Sequence, residues 1–142
     1  MASVFDVSDY ILRRNGPVTA MKLQKLVYYA QAWSLVWDEA PIFGERIEAW
    51  ANGPVVPDLF HAHRGEFTVT EEKRGDMSKL SEDQKETIDA VLKHYGNKPA
   101  NWLSDLTHRE APWLEARRGL PDGERSNVEI THGAMAEYYG NL

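Results

Sequence analysis

Apolar residues recur at helical spacing along most of the chain, and turn-forming residues interrupt them at regular intervals. Val4, Val7 and Ile11, with Tyr10 beside them, predict a first helix between Ser3 and Asn15. Asn15-Gly16-Pro17 stops it, because glycine permits the turn and proline cannot continue a helix. Thr19 is a good N-cap for a longer helix running to about Asp38. On that helix Leu23, Leu26, Val27, Ala30 and Trp37 share one face, and Met21, Tyr28, Ala32 and Leu35 lie opposite. A helix apolar on two faces is either central and buried, or lends one face to a partner.

Beyond Pro41–Gly44 the period changes. Ile47-Glu48-Ala49-Trp50 alternates, which suits a short strand, and Asn52-Gly53-Pro54 is a turn. Pro57 can open a short helix carrying Leu59 and Phe60. Residues 64–80 are polar and read as loop. Ser81 followed by Gln84 resembles a capping box, ahead of a stripe of Ile88, Val91, Leu92 and Tyr95 that Gly96 ends. Ala100 to Thr107 reads as a helix with Trp102, Leu103 and Leu106 inward, and Pro112 opens another with Trp113 and Leu114. Leu120–Arg125 is turn-rich, Val128–Ile130 reads as extended, and Thr131 caps a last helix through Tyr139. The expected fold is mainly α, a single domain over residues 1–142, with about six or seven helices and a small β element.

Charge adds an asymmetry. The 142 residues carry 16 Lys+Arg and 22 Asp+Glu, a formal −6, which argues against bulk nucleic-acid binding. Tyr10 to Trp37 contains four bases (Arg13, Arg14, Lys22, Lys25) and no acid, whereas Glu66 to Asp89 holds eight acids against four bases. Such segregation bears on the choice of partner. The absence of cysteine removes disulfides, thiolate metal sites and cysteine nucleophiles. No apolar run of about 18 residues predicts a membrane span, and no signal peptide is visible, so a cytoplasmic protein is expected.

Candidate chemistry is sparse. His61 and His63 would share a face only on a strand, and no further ligand set accompanies them; a solvated or capping role is expected. His108-Arg109-Glu110 could supply acid and base, but no nucleophile elbow is present, and Glu110, just before Ala111-Pro112, suits a capping role. Arg117-Arg118 reads as a solvated helix end. Phosphate-binding glycine loops of the common kinds are missing. No cofactor is expected. Five tryptophans are many for this length, and most should be core, with one or two available as interface anchors.

Three blocks taken together are specific. They are Met21-Lys22-Leu23-Gln24-Lys25-Leu26-Val27-Tyr28-Tyr29-Ala30-Gln31-Ala32-Trp33; Pro41-Ile42-Phe43 with Ile47–Trp50 and Asn52–Pro57; and Leu103–Trp113 with Ala116-Arg117. Their content and order resemble the Panacea-domain family, which includes SocA-like antitoxins and phage-associated GepA-like proteins. The resemblance runs from about Val4 to Tyr139, with residues 64–80 matching poorly. It implies a mostly helical antitoxin that neutralises a cognate protein toxin by direct binding, with protease delivery of the toxin known in one branch, and it implies no enzymatic activity. Lys22, Lys25, Tyr28 and Gln31 are the expected toxin contacts, on a less buried edge of the second helix. A DNA-binding or phage regulatory protein is the alternative, and a hydrolase built on His61, His63, His108 and Glu110 a more distant one.

Overall fold

The computed structural model describes all 142 residues. Seven α-helices form the body: α1 (Val4–Asn15), α2 (Ala20–Trp37), α3 (Pro57–Ala62), α4 (Glu82–Tyr95), α5 (Ala100–His108), α6 (Ala111–Arg117) and α7 (His132–Gly140). Two antiparallel strand pairs complete it. β2 (Glu48–Trp50) pairs with β3 (Gly53–Val55) as a hairpin, and β1 (Val18–Thr19) pairs with β4 (Thr68–Val69). The mainly helical expectation with a small β element therefore holds. β4 and a 3₁₀ turn over Met77–Lys79 lie inside the stretch expected to be loop.

Local signals set the helix ends. Ser3 and Ser81 both close full capping boxes, with Asp6 and Gln84 respectively, and Thr19 and Thr131 accept from the backbone N–H three residues on. The core forms around α2, which packs against α1, α4, α5, α7 and the hairpin. Leu23, Leu26, Val27 and Ala30 are fully buried. Each of the larger three contributes roughly 1.5–3 kcal/mol of transfer free energy. The opposite side of α2 is buried too, at Tyr28 and Ala32, so the helix is central.

The exceptions lie at its ends. Met21 and Trp37 are largely exposed, Trp37 at 50 %, stacked on Trp33 with ring centroids 5.0 Å apart. Trp102, expected inward, is also exposed and lies under Lys98.

The charge asymmetry is met inside the fold. Arg14 pairs with Asp89 on α4 (3.1 Å), Tyr10 donates to the same carboxylate, and Arg13 pairs with Asp9 (2.9 Å). The acids of α1 are occupied as well. Asp6 and Asp9 accept from the backbone N–H groups of Asp76 and Met77. That close approach needs a glycine at position 75, where a Cβ would lie 1.9 Å from the Phe5 carbonyl oxygen.

Candidate functional site

Three of the four residues expected on an exposed edge of α2 are interior. Lys25 and Tyr28 are each 1 % exposed and Gln31 is 0 %. Only Lys22 reaches the surface, and its Nζ donates to the Gly96 carbonyl at 2.6 Å, with partial burial lowering its pKa. A polar tip does not need solvent when the fold brings it an acceptor. Gln31 shows this fully: its Nε2 donates to the Phe43 carbonyl (2.8 Å), and its Oε1 accepts from the N–H groups of Ile42 and Phe43. Gln24 clamps Val56 in the same way. Both are braces between α2 and the chain that follows it.

Tyr28 and Tyr29 belong to a closed network. Tyr29 and Tyr139 both donate to Glu110 Oε1, at 2.7 and 2.8 Å. Tyr139 has spent its proton there, so its oxygen accepts from Tyr28 at 3.0 Å. Tyr29 stacks on Tyr95 at 4.1 Å, and Tyr95 accepts from the Trp33 indole. Burial pushes the pKa values of Tyr28, Tyr29 and Tyr139 up. It raises that of Glu110 as well, outweighing the two tyrosine hydrogen bonds that favour the carboxylate. Glu110 does stand at the N-cap of α6, but its side chain makes no capping bond. The expected capping role gives way to the tyrosines.

The histidines are spread out. His61 is exposed. His63, expected in a solvated or capping role, is buried against Glu72 (2.7 Å), which also accepts from Ser8. Burial works against that carboxylate, but the His63 and Ser8 bonds prevail and hold its pKa below the ordinary value. His108 faces the carbonyls of Ser104 and Ala51 and packs on Trp113. No three His, Cys, Asp or Glu side chains are grouped to hold a metal. Arg117, expected to be solvated, is buried and donates to the carbonyls of Ala49, Pro121, Asp122 and Glu124, tying the loop after α6 to the hairpin.

Lys25 is given less than any of these: Arg117, which also lacks a carboxylate and leaves its Nε unpaired, still reaches four backbone carbonyls. Its ammonium has one acceptor, the Pro54 carbonyl at 3.2 Å, and no carboxylate. Burial alone pushes its pKa down to about 7. Gly53 makes room for the side chain: it sits at φ +115°, and a Cβ there would lie 2.7 Å from Lys25 Cε. Lys25 lines a cleft of about 940 Å³ between the start of α2, the hairpin, the segment after α3 and residues 125–127. Trp50, Val55, Phe60 and Met21 supply its apolar surface.

A family profile for the antitoxin SocA-like, Panacea domain matches residues 23–114. That span holds most of α2, the hairpin, and the helices through the start of α6, including Lys25, the cleft hairpin and Glu110. The chain belongs to the SocA-like, Panacea-domain antitoxin family. No curated protein and no solved structure matches the chain. Tyr139, which closes the tyrosine network of this Panacea domain, lies on α7 beyond the matched span. No helix is long and apolar enough to cross a membrane.

Neither Lys25's missing counter-charge nor the Glu110 network was found from the sequence. The only local sign of the first was a lysine within an apolar helical run, followed by an Asn-Gly-Pro turn that leaves space for it.

Proposed function

We propose that this protein is an antitoxin that neutralises a cognate protein toxin by direct binding. The observation that carries this reading is the Panacea-domain match over residues 23–114. Two features of the molecule support it. Its polar residues of highest burial serve as braces and networks, as Gln31, Glu110 and Arg117 do, rather than converging on a reacting centre. Its surface carries exposed aromatic and apolar anchors at Trp37, Phe60 and Met21, the residue types that hold protein interfaces together.

The regulatory reading on DNA is weaker. It needs a basic recognition surface on α1 and α2, yet Arg13 and Arg14 are paired with carboxylates and Lys22 and Lys25 are turned to backbone carbonyls.

The test is expression in cells of reading frames adjoining the gene, alone and together with this protein. Growth arrest by a neighbouring product, relieved on co-expression and accompanied by co-purification of the two chains, is the expected result. Arrest without relief, or relief without a complex, would overturn the reading. Following the toxin's level during rescue separates its two forms: occlusion leaves the toxin intact, whereas protease delivery removes it.

A further inference from the structure

A buried ammonium without a counter-ion is costly, and one that borders an open cavity is a candidate binding group. Lys25 meets both conditions. It is 1 % exposed, has a single backbone acceptor, and lines the cleft of about 940 Å³ described above. The charges around it favour an anion. Arg64 and Arg125 stand at the mouth, and the carboxylate of Glu48 is already taken by Arg46 (2.8 Å) and the Trp50 indole (2.8 Å). His63 in the wall is held by Glu72, which leaves Glu66 as the one unengaged acid of the lining. Beside this polar floor lie Trp50 and Phe60, in edge-to-face contact at 4.9 Å, with Phe60 41 % exposed. An apolar aromatic rim around a desolvated charge is the composition of a binding hot spot.

We propose that the cleft receives an acidic side chain of a protein partner. The carboxylate meets Lys25 on the floor, and an aromatic neighbour in the partner's sequence packs on Trp50 and Phe60. This inference rests on the toxin-binding reading and assigns it a place. The carboxylate supplies the counter-charge that the fold omits, and it restores to Lys25 the proton that burial tends to remove. Binding therefore takes up a proton and weakens from about pH 6 to about pH 9.

The experiment is a heteronuclear NMR titration of the full chain with a blocked Trp-Asp dipeptide, its Trp-Asn counterpart, and free indole-3-acetate. Saturable binding of the Asp peptide near about 1 mM is expected, with shifts centred on Lys25, Trp50 and Phe60. The Asn peptide should bind about tenfold more weakly, the loss of one charge-assisted contact. Lys25→Met should lose the same factor while melting no lower than the parent. Arg125→Glu, on an exposed position, should weaken binding severalfold without touching the fold, so the inference stays testable should Lys25→Met misfold.

Equal binding of the two peptides, shifts centred elsewhere, or full affinity in Arg125→Glu would overturn the inference. Binding of free indole-3-acetate but not of the Asp peptide would overturn the assignment to a protein partner. The growth assay keeps the two readings apart. If Arg125→Glu and Lys25→Met rescue growth as well as the parent, the toxin reading stands and the cleft is not its site. If the Asp peptide binds and no toxin is neutralised, the cleft stands and the antitoxin reading falls.

Discussion

Lys25 and Tyr29 lie one helical turn apart on α2, and both are inside the protein. Their surroundings could hardly differ more. Tyr29 donates to Glu110, which also serves Tyr139, which in turn serves Tyr28, so each hydroxyl of that network has a partner. Lys25 has the Pro54 carbonyl and nothing of opposite charge. A polar network whose hydroxyls are all partnered rigidifies a core and offers little to a ligand. A buried cation with unmet capacity, on the floor of a cleft, costs stability that the rest of the fold offsets. The comparison locates the structural half of α2 at the tyrosines and its available half at Lys25.

The largest effects should come from breaking the filled side. Tyr28→Ala removes a fully buried ring packed edge-on to Tyr29 and Tyr139, and should cost about 3–5 kcal/mol in denaturant unfolding. Tyr28→Phe keeps the ring and should cost only about 1 kcal/mol. Loss of toxin rescue in Tyr28→Ala, but not in Tyr28→Phe, would follow from unfolding alone. Next comes Glu110→Leu, which strands the Tyr29 and Tyr139 hydroxyls and should cost roughly 2–4 kcal/mol, whereas Glu110→Gln, which still accepts, should cost about 1 kcal/mol. Similar losses for Gln and Leu would show that the network contributes little.

Lys25→Met should act with the opposite sign. At about pH 6 it should raise stability by roughly 1–3 kcal/mol, because it removes an uncompensated charge. The pH dependence follows from linkage. The folded pKa, about 7, lies below the ordinary 10.5, so the unfolded chain binds the extra proton and folding is penalised in full below about pH 7. The penalty lifts as pH rises towards 10.5, so the difference between parent and Lys25→Met should close over that window. Taking the difference cancels the buried tyrosines, which act on both proteins alike. Glu110 slopes the other way: its raised pKa means the folded state holds the proton longer, so its contribution declines as pH climbs above 4.5. A Lys25→Met difference that stays flat with pH would place Lys25 in a solvated site.

The smallest effect belongs to the mouth of the cleft. Phe60→Ala, at a partly exposed position, gives up its edge-to-face contact with Trp50 and should cost about 0.5–1.5 kcal/mol while removing an anchor for the partner. Thermal melts read the first, and the peptide titration reads the second.

Much of the fold was written locally. Thr19, Ser81 and Thr131 each cap the helix that follows, because the hydroxyl and the amide it accepts from are three residues apart. The two apolar faces of α2 were equally readable from spacing, and the packing of α1, α4, α5 and α7 on it decided for a central helix over one that lends a face to a partner. The sequence by itself thus determined the helices, the hairpin turn at Asn52-Gly53-Pro54, the two apolar faces of α2 and the family. What only the tertiary structure decided is which polar residues are inside and whether they are satisfied. Gln31 reads as a surface residue until the segment from Ile42 to Phe43 folds back on it, and Lys25 as a rim charge until the Gly53 hairpin covers it. Periodicity assigns a side chain to a face of its own helix. The acceptors of Lys25, Tyr29 and Tyr28 lie 29, 81 and 111 residues away, so whether each tip finds one depends on what the rest of the chain brings to that face.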